Sequence, residues 1–165
     1  MGAELPSELA GPAFLAIVLV AAVVIAAWRR APDEPQRVVR AGCLALALQA
    51  VHVAEEFAAG FHLRLPRLIG LEPWSAEFFV SFNLAWIAVW ALALRAFAGG
   101  AAPLTARAAL WFLALAAVGN AVWHPALSIA TGTYFPGTVT AVPLGAAGLL
   151  LVRRLLPDAR AGAGS

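Results

Sequence analysis

Five stretches of roughly 20 mostly apolar residues run through this chain, and each is long enough to cross a bilayer core as a helix. They fall at about 11–28, 39–61, 77–97, 105–126 and 135–152. The breaks between them carry loop chemistry. Arg29 to Gln36 and Leu65 to Pro73 each hold two prolines, and Gly99 to Pro103 is small and flexible. Composition agrees: 62% of residues are hydrophobic and 12% charged, too little charge to build a water-facing surface. The expected fold is all-α, an integral membrane bundle of about five transmembrane helices in a single domain over 1–165. The small, polar tail 159–165 is expected to be disordered.

Eleven arginines and no lysine supply the positive charge. With the N-terminus outside, nine of them (Arg29, Arg30, Arg37, Arg40, Arg95, Arg107, Arg153, Arg154 and Arg160) fall on the cytoplasmic side. Only Arg64 and Arg67 fall outside, and basic residues are retained on the cytoplasmic face. The expected placement is the plasma membrane, with the C-terminus cytoplasmic. Glu4 and Glu8 ahead of the first apolar run are the wrong charge for a signal peptide, so that run reads as a retained span. A net charge of +2 gives no electrostatic footprint for nucleic acid, and none is expected as a partner. The single cysteine, Cys43, excludes an internal disulfide or a cysteine-based zinc site within one chain.

Against this background, the second stretch contains His52, Glu55 and Glu56. An acid near the centre of a span costs about 2.5–3.5 kcal/mol on insertion scales, whereas an interhelical hydrogen bond in a membrane returns only about 0.6 kcal/mol. Two acids therefore call for a function. Positions i, i+3 and i+4 share one helix face, with Gln49 one turn below. At a rise of about 1.5 Å per residue, Glu56 lies roughly 8 Å and His52 roughly 14 Å below the outer end of its stretch. Asn83 falls at a similar depth in the third stretch, and Asn120 and His124 lie within the last turns of the fourth. Tyr134, Thr138 and Thr140 open the fifth. All these polar groups can meet in the outer half of the bundle.

No Lys or Arg lies mid-span to neutralise Glu55 and Glu56. A shared proton, an imidazolium on His52 or His124, Arg64 or Arg67 reaching inward, a cationic ligand or a divalent metal must do so. Two carboxylates and two imidazoles suit zinc, iron or manganese. The candidate catalytic set, equally the candidate metal set, is His52, Glu55, Glu56 and His124. Gln49, Asn83, Asn120 and Tyr134 are the supporting polar groups. Several residues also have a plainer reading: Asn83 bonds a helix, Tyr134, Trp74 and His62 sit at the interface, and Trp86 and Trp90 serve packing.

The run His52, Val53, Ala54, Glu55, Glu56 resembles the pattern that names the HXXEE-domain family of small multi-spanning membrane proteins. Gly119, Asn120, Ala121, Val122, Trp123 and His124, followed by Tyr134, Phe135, Pro136 and Gly137, are similar to its second polar region. The resemblance covers about residues 40–152 and implies a class rather than a reaction. The layout is also similar to that of the emopamil-binding sterol isomerases, in which aromatic faces such as those of Trp86, Trp90, Trp111 and Trp123 would flank a carbocation. The leading expectation is a membrane enzyme acting on an apolar lipid or isoprenoid-like substrate by acid/base or metal-assisted chemistry. Its alternatives are proton- or cation-coupled transport by an oligomer, and a structural accessory protein with a polar core. Membrane lipid is the expected partner in every case.

Overall fold

The computed structural model describes residues 7–29, 31–32 and 34–156, with side chains from Leu15 onward. The expected disordered tail lies outside the described residues. Six helices follow one another: α1 (Ser7–Trp28), α2 (Pro35–Ala58), α3 (Phe61–Leu68), α4 (Ala76–Ala98), α5 (Leu104–Thr131) and α6 (Thr138–Leu155). No strand occurs among the described residues. Helices α2, α4, α5 and α6 are long and apolar enough to cross a membrane, and α1 is apolar from Leu15 to Trp28. The all-α bundle of about five such helices is therefore what forms.

Helix α5 is the hub, packing against α1, α2, α4 and α6. Its segment Ala108–Ala114 is buried residue after residue, which a helix tolerates only when apolar all round and enclosed on every side. Lipid offers no hydrophobic drive between helices, so they associate through close backbone approach at small residues. Gly148 of α6 shows this: a Cβ there would lie 2.8 Å from the Ala117 Cβ and 2.9 Å from the Ala114 carbonyl oxygen. Gly145, one turn earlier, is pressed against Ala121 in the same way.

Between α2 and α4 the structure departs from the sequence reading. The second stretch was expected to run to 61 and residues 65–73 to form a loop. Instead α2 stops at Ala58, Gly60 turns the chain with a positive φ of 78°, and α3 begins at Phe61. Pro66 inside α3 has no N–H to give the His62 carbonyl one turn back. That carbonyl accepts the Trp74 N–H at 3.0 Å instead, folding the connection over the end of the bundle. Phe61, Trp74, Phe79, Leu127 and Phe135 form a second apolar cluster there, separate from the main core around α5. Arg64 and Arg67 belong to this end. Arg29 and Arg107 meet at the other, where an Arg107 N–H reaches the Arg29 carbonyl at 3.0 Å.

Candidate functional site

Beneath α3, the last turns of α2, the second half of α5 and the first turn of α6 converge on three polar side chains. His52 and His124 are 0% and 1% exposed, and Glu56 is 7% exposed. The Glu56 Oε1 atom lies 3.3 Å from His124 Nε2 and 3.6 Å from His52 Nε2. One ligand-capable atom from each residue lies within 4.8 Å of the others. The imidazole rings meet edge to face with centroids 4.8 Å apart.

The outer nitrogens of both rings are tied. His124 Nδ1 lies 2.6 Å from the Pro136 carbonyl oxygen, which can only accept, so Nδ1 carries the hydrogen. His52 Nδ1 lies 2.8 Å from Thr140 Oγ1. The Thr140 N–H bonds the Glu55 carboxylate at 2.8 Å, which holds this hydroxyl beside the ring. Both rings therefore turn Nε2 inward toward Glu56, and the buried His52 Nε2 has no hydrogen-bond partner among the described residues. Two ring nitrogens and a carboxylate oxygen facing one another at 3.3 and 3.6 Å repel unless a proton or a cation lies between them.

Glu55, expected alongside these groups, is held elsewhere. It accepts from the Tyr134 hydroxyl at 2.5 Å, from the Val139 N–H at 3.2 Å and from the Thr140 N–H at 2.8 Å. These amides are in the first turn of α6, whose N-cap, Gly137, has no side chain to satisfy them. Glu55 thus caps α6 from another helix, its charge stabilised by the N-terminal dipole. Tyr134 lies in the connection between α5 and α6. Partial burial, then the neighbouring Glu55 carboxylate, raise its pKa above the usual tyrosine value.

The supporting residues divide. Gln49 is buried below His52, and its Oε1 has no partner among the described residues. Asn83 bonds the Phe79 carbonyl of its own helix at 2.9 Å, a local role, and Asn120 is half-buried and joins none of these hydrogen bonds. His62, expected at the interface, is buried with its ring stacked on Phe57 at 5.3 Å. Trp86 and Trp90 pack on each other and on Phe112. The rings that flank His124 are Phe61 at 5.5 Å and Phe135 at 6.4 Å.

One residue entered the sequence reading only as part of the second polar region, without a role of its own. At Gly137, with φ of 90°, a Cβ would lie 2.6 Å from His124 Cε1, 2.7 Å from its Nδ1 and 2.9 Å from His52 Cε1. Only glycine lets the backbone pass this close to both imidazoles. The run Phe135, Pro136, Gly137 immediately before the fifth apolar stretch was the available signal.

Fold and site together define a class: a helical, multi-pass membrane-type protein with a buried His52/Glu56/His124 cluster. Compared with protein-family models, curated proteins and solved structures, the chain matches none.

Proposed function

We propose that this protein is a membrane enzyme that binds a divalent metal through His52, Glu56 and His124 and acts on an apolar, lipid-like substrate. The observation that carries the reading is the convergence of two inward-facing Nε2 atoms and one carboxylate oxygen. Bonds of 2.0–2.1 Å in tetrahedral geometry put neighbouring ligand atoms about 3.3 Å apart. The two separations from Glu56 to the imidazoles are 3.3 and 3.6 Å, and all three ligand atoms lie within 4.8 Å of one another. Two imidazoles and a carboxylate are a catalytic rather than a closed structural ligand set, and suit zinc, iron or manganese. A metal held there supplies Lewis acidity toward a substrate oxygen or a bound water.

The chain's own residues do the rest. The Pro136 carbonyl and the Thr140 hydroxyl fix which nitrogen of each ring faces inward, the second shell that metal-binding histidines require. Glu55 orients Thr140 and anchors α6. Phe61 and Phe135 exclude water from the His124 side. The arginine bias supports an external N-terminus and a cytoplasmic C-terminus at the plasma membrane, with the cluster in the outer half of the bilayer. Membership of the HXXEE-domain family is part of the same proposal, since its motif supplies His52 and Glu56.

Metal analysis of protein purified without chelator tests the reading. About one zinc, iron or manganese per chain is expected, lost in Glu56→Gln and His52→Ala. Wild-type protein that carries no stoichiometric metal, and takes none up on dialysis, overturns it and returns the cluster to proton sharing between Glu56 and the imidazoles.

A further inference from the structure

Beside the cluster, and outside the set just described, a cleft of about 330 Å³ is lined by Arg64, Arg67, Leu68, Thr131 and Phe135. We propose that it binds the phosphate head of an amphiphile, with Arg64 and Arg67 holding the phosphate oxygens.

Arg64 and Arg67 stand one turn apart on α3 and are the only arginines at this end of the bundle among the described residues. Neither pairs with a carboxylate among the described residues. Arg64 is fixed in place: it donates to the Tyr134 carbonyl oxygen at 2.9 Å and to Thr133 Oγ1 at 3.4 Å. Its guanidinium lies over the Phe135 ring at 5.4 Å. A guanidinium has five N–H donors, so three remain for a ligand, and among the described residues no acceptor takes those of Arg67. Two such forks i and i+3 apart match a group with several anionic oxygens, the geometry in which arginine recognises phosphate.

The remaining walls suit the rest of an amphiphile. Leu68 is an exposed apolar side chain, and the buried Phe135 lines the floor of the cleft while standing 6.4 Å from the His124 ring. Phe135 lies under the Arg64 guanidinium on one side and near His124 on the other. Basic pockets beside transmembrane helices select anionic lipid heads for the same reason. Affinity for phosphate rests on the cleft's own residues. Its assignment as the head-group end of the substrate rests on the enzyme reading above.

Native mass spectrometry of the full chain in neutral detergent tests the proposal, with phosphatidic acid, diacylglycerol and inorganic phosphate as probes. One phosphatidic acid per chain is expected, bound about tenfold more tightly than diacylglycerol, the gain of a charge-assisted hydrogen bond. Arg67→Gln, which removes a side chain with no partner among the described residues, is expected to weaken it about tenfold. Displacement by millimolar phosphate means that the phosphate group alone is recognised, and its failure to compete means that a lipid head with its chains is. Equal retention of phosphatidic acid and diacylglycerol, or unchanged binding in Arg67→Gln, overturns the proposal. His52→Ala is expected to leave lipid binding intact, so a failed metal site and a failed cleft give different results.

Discussion

Replacing Gly137 by alanine tests the geometry of the cluster more directly than removing a ligand does. The added Cβ would lie 2.6–2.9 Å from ring atoms of both His124 and His52, where carbon atoms prefer about 3.5–4.0 Å. Roughly 1 Å of movement is needed, and His124 cannot give it without losing the bond from its Nδ1 to the Pro136 carbonyl. Overpacking of this kind costs about 1–3 kcal/mol. The positive φ of 90° adds about 1–2 kcal/mol for any residue with a Cβ. Gly132→Ala separates the two effects, because Gly132 also has a positive φ, 64°, but a Cβ there would meet nothing within 4 Å. Thermal unfolding in detergent and metal affinity by competition with a chelator are the two readouts. Gly132→Ala is expected to lose only the backbone cost and to keep wild-type affinity. Gly137→Ala is expected to lose more stability and to bind metal at least about tenfold more weakly, the scale of a disturbed second shell. Equal stability losses with metal affinity intact in both variants refute the close approach of Gly137 to the rings.

Two further outcomes follow from the division of labour between the adjacent acids. Glu55→Gln keeps the shape but removes the charge that caps α6, so it is expected to lower unfolding stability by about 1–3 kcal/mol while metal content stays at the wild-type level. Glu56→Gln is expected to do the reverse, and a metal loss in Glu55→Gln equal to that in Glu56→Gln refutes the assignment. Tyr134 is the only tyrosine in the chain, so the phenolate absorbance reports it alone. Its titration midpoint is expected above the ordinary 10.0, with a return toward that value in Glu55→Gln. The folded state holds this proton more tightly than the unfolded one, so stability falls as pH rises from the unfolded value through the folded one. A wild-type midpoint at or below 10.0 contradicts the bond to Glu55.

The helices and the histidine–glutamate face of α2 were legible because both depend on local chemistry. Apolar length selects a spanning helix, and i, i+4 spacing brings His52 and Glu56 together whatever surrounds them. The fate of Glu55 was not legible. Adjacent residues on a helix point about 100° apart, so Glu55 and Glu56 address different neighbours, and which one meets His124 depends on where α5 and α6 pack. Helix α3 was hidden by Pro66, which reads as a breaker until the Trp74 N–H is seen to use the carbonyl it frees. His62 misled for a related reason: its place after Phe61, at the end of the second stretch, suggested the interface, but α3 folds inward and buries it.

By itself, then, the sequence determined a membrane bundle and one polar helix face, because bilayer insertion and helical periodicity act on neighbouring residues. Only the tertiary structure decided the site. The orientation of each histidine ring is set by partners 12 and 88 residues away, Pro136 for His124 and Thr140 for His52. The space for both rings is set by the missing side chain of Gly137. Such distant hydrogen bonds and close approaches arise from packing, and no local pattern encodes them.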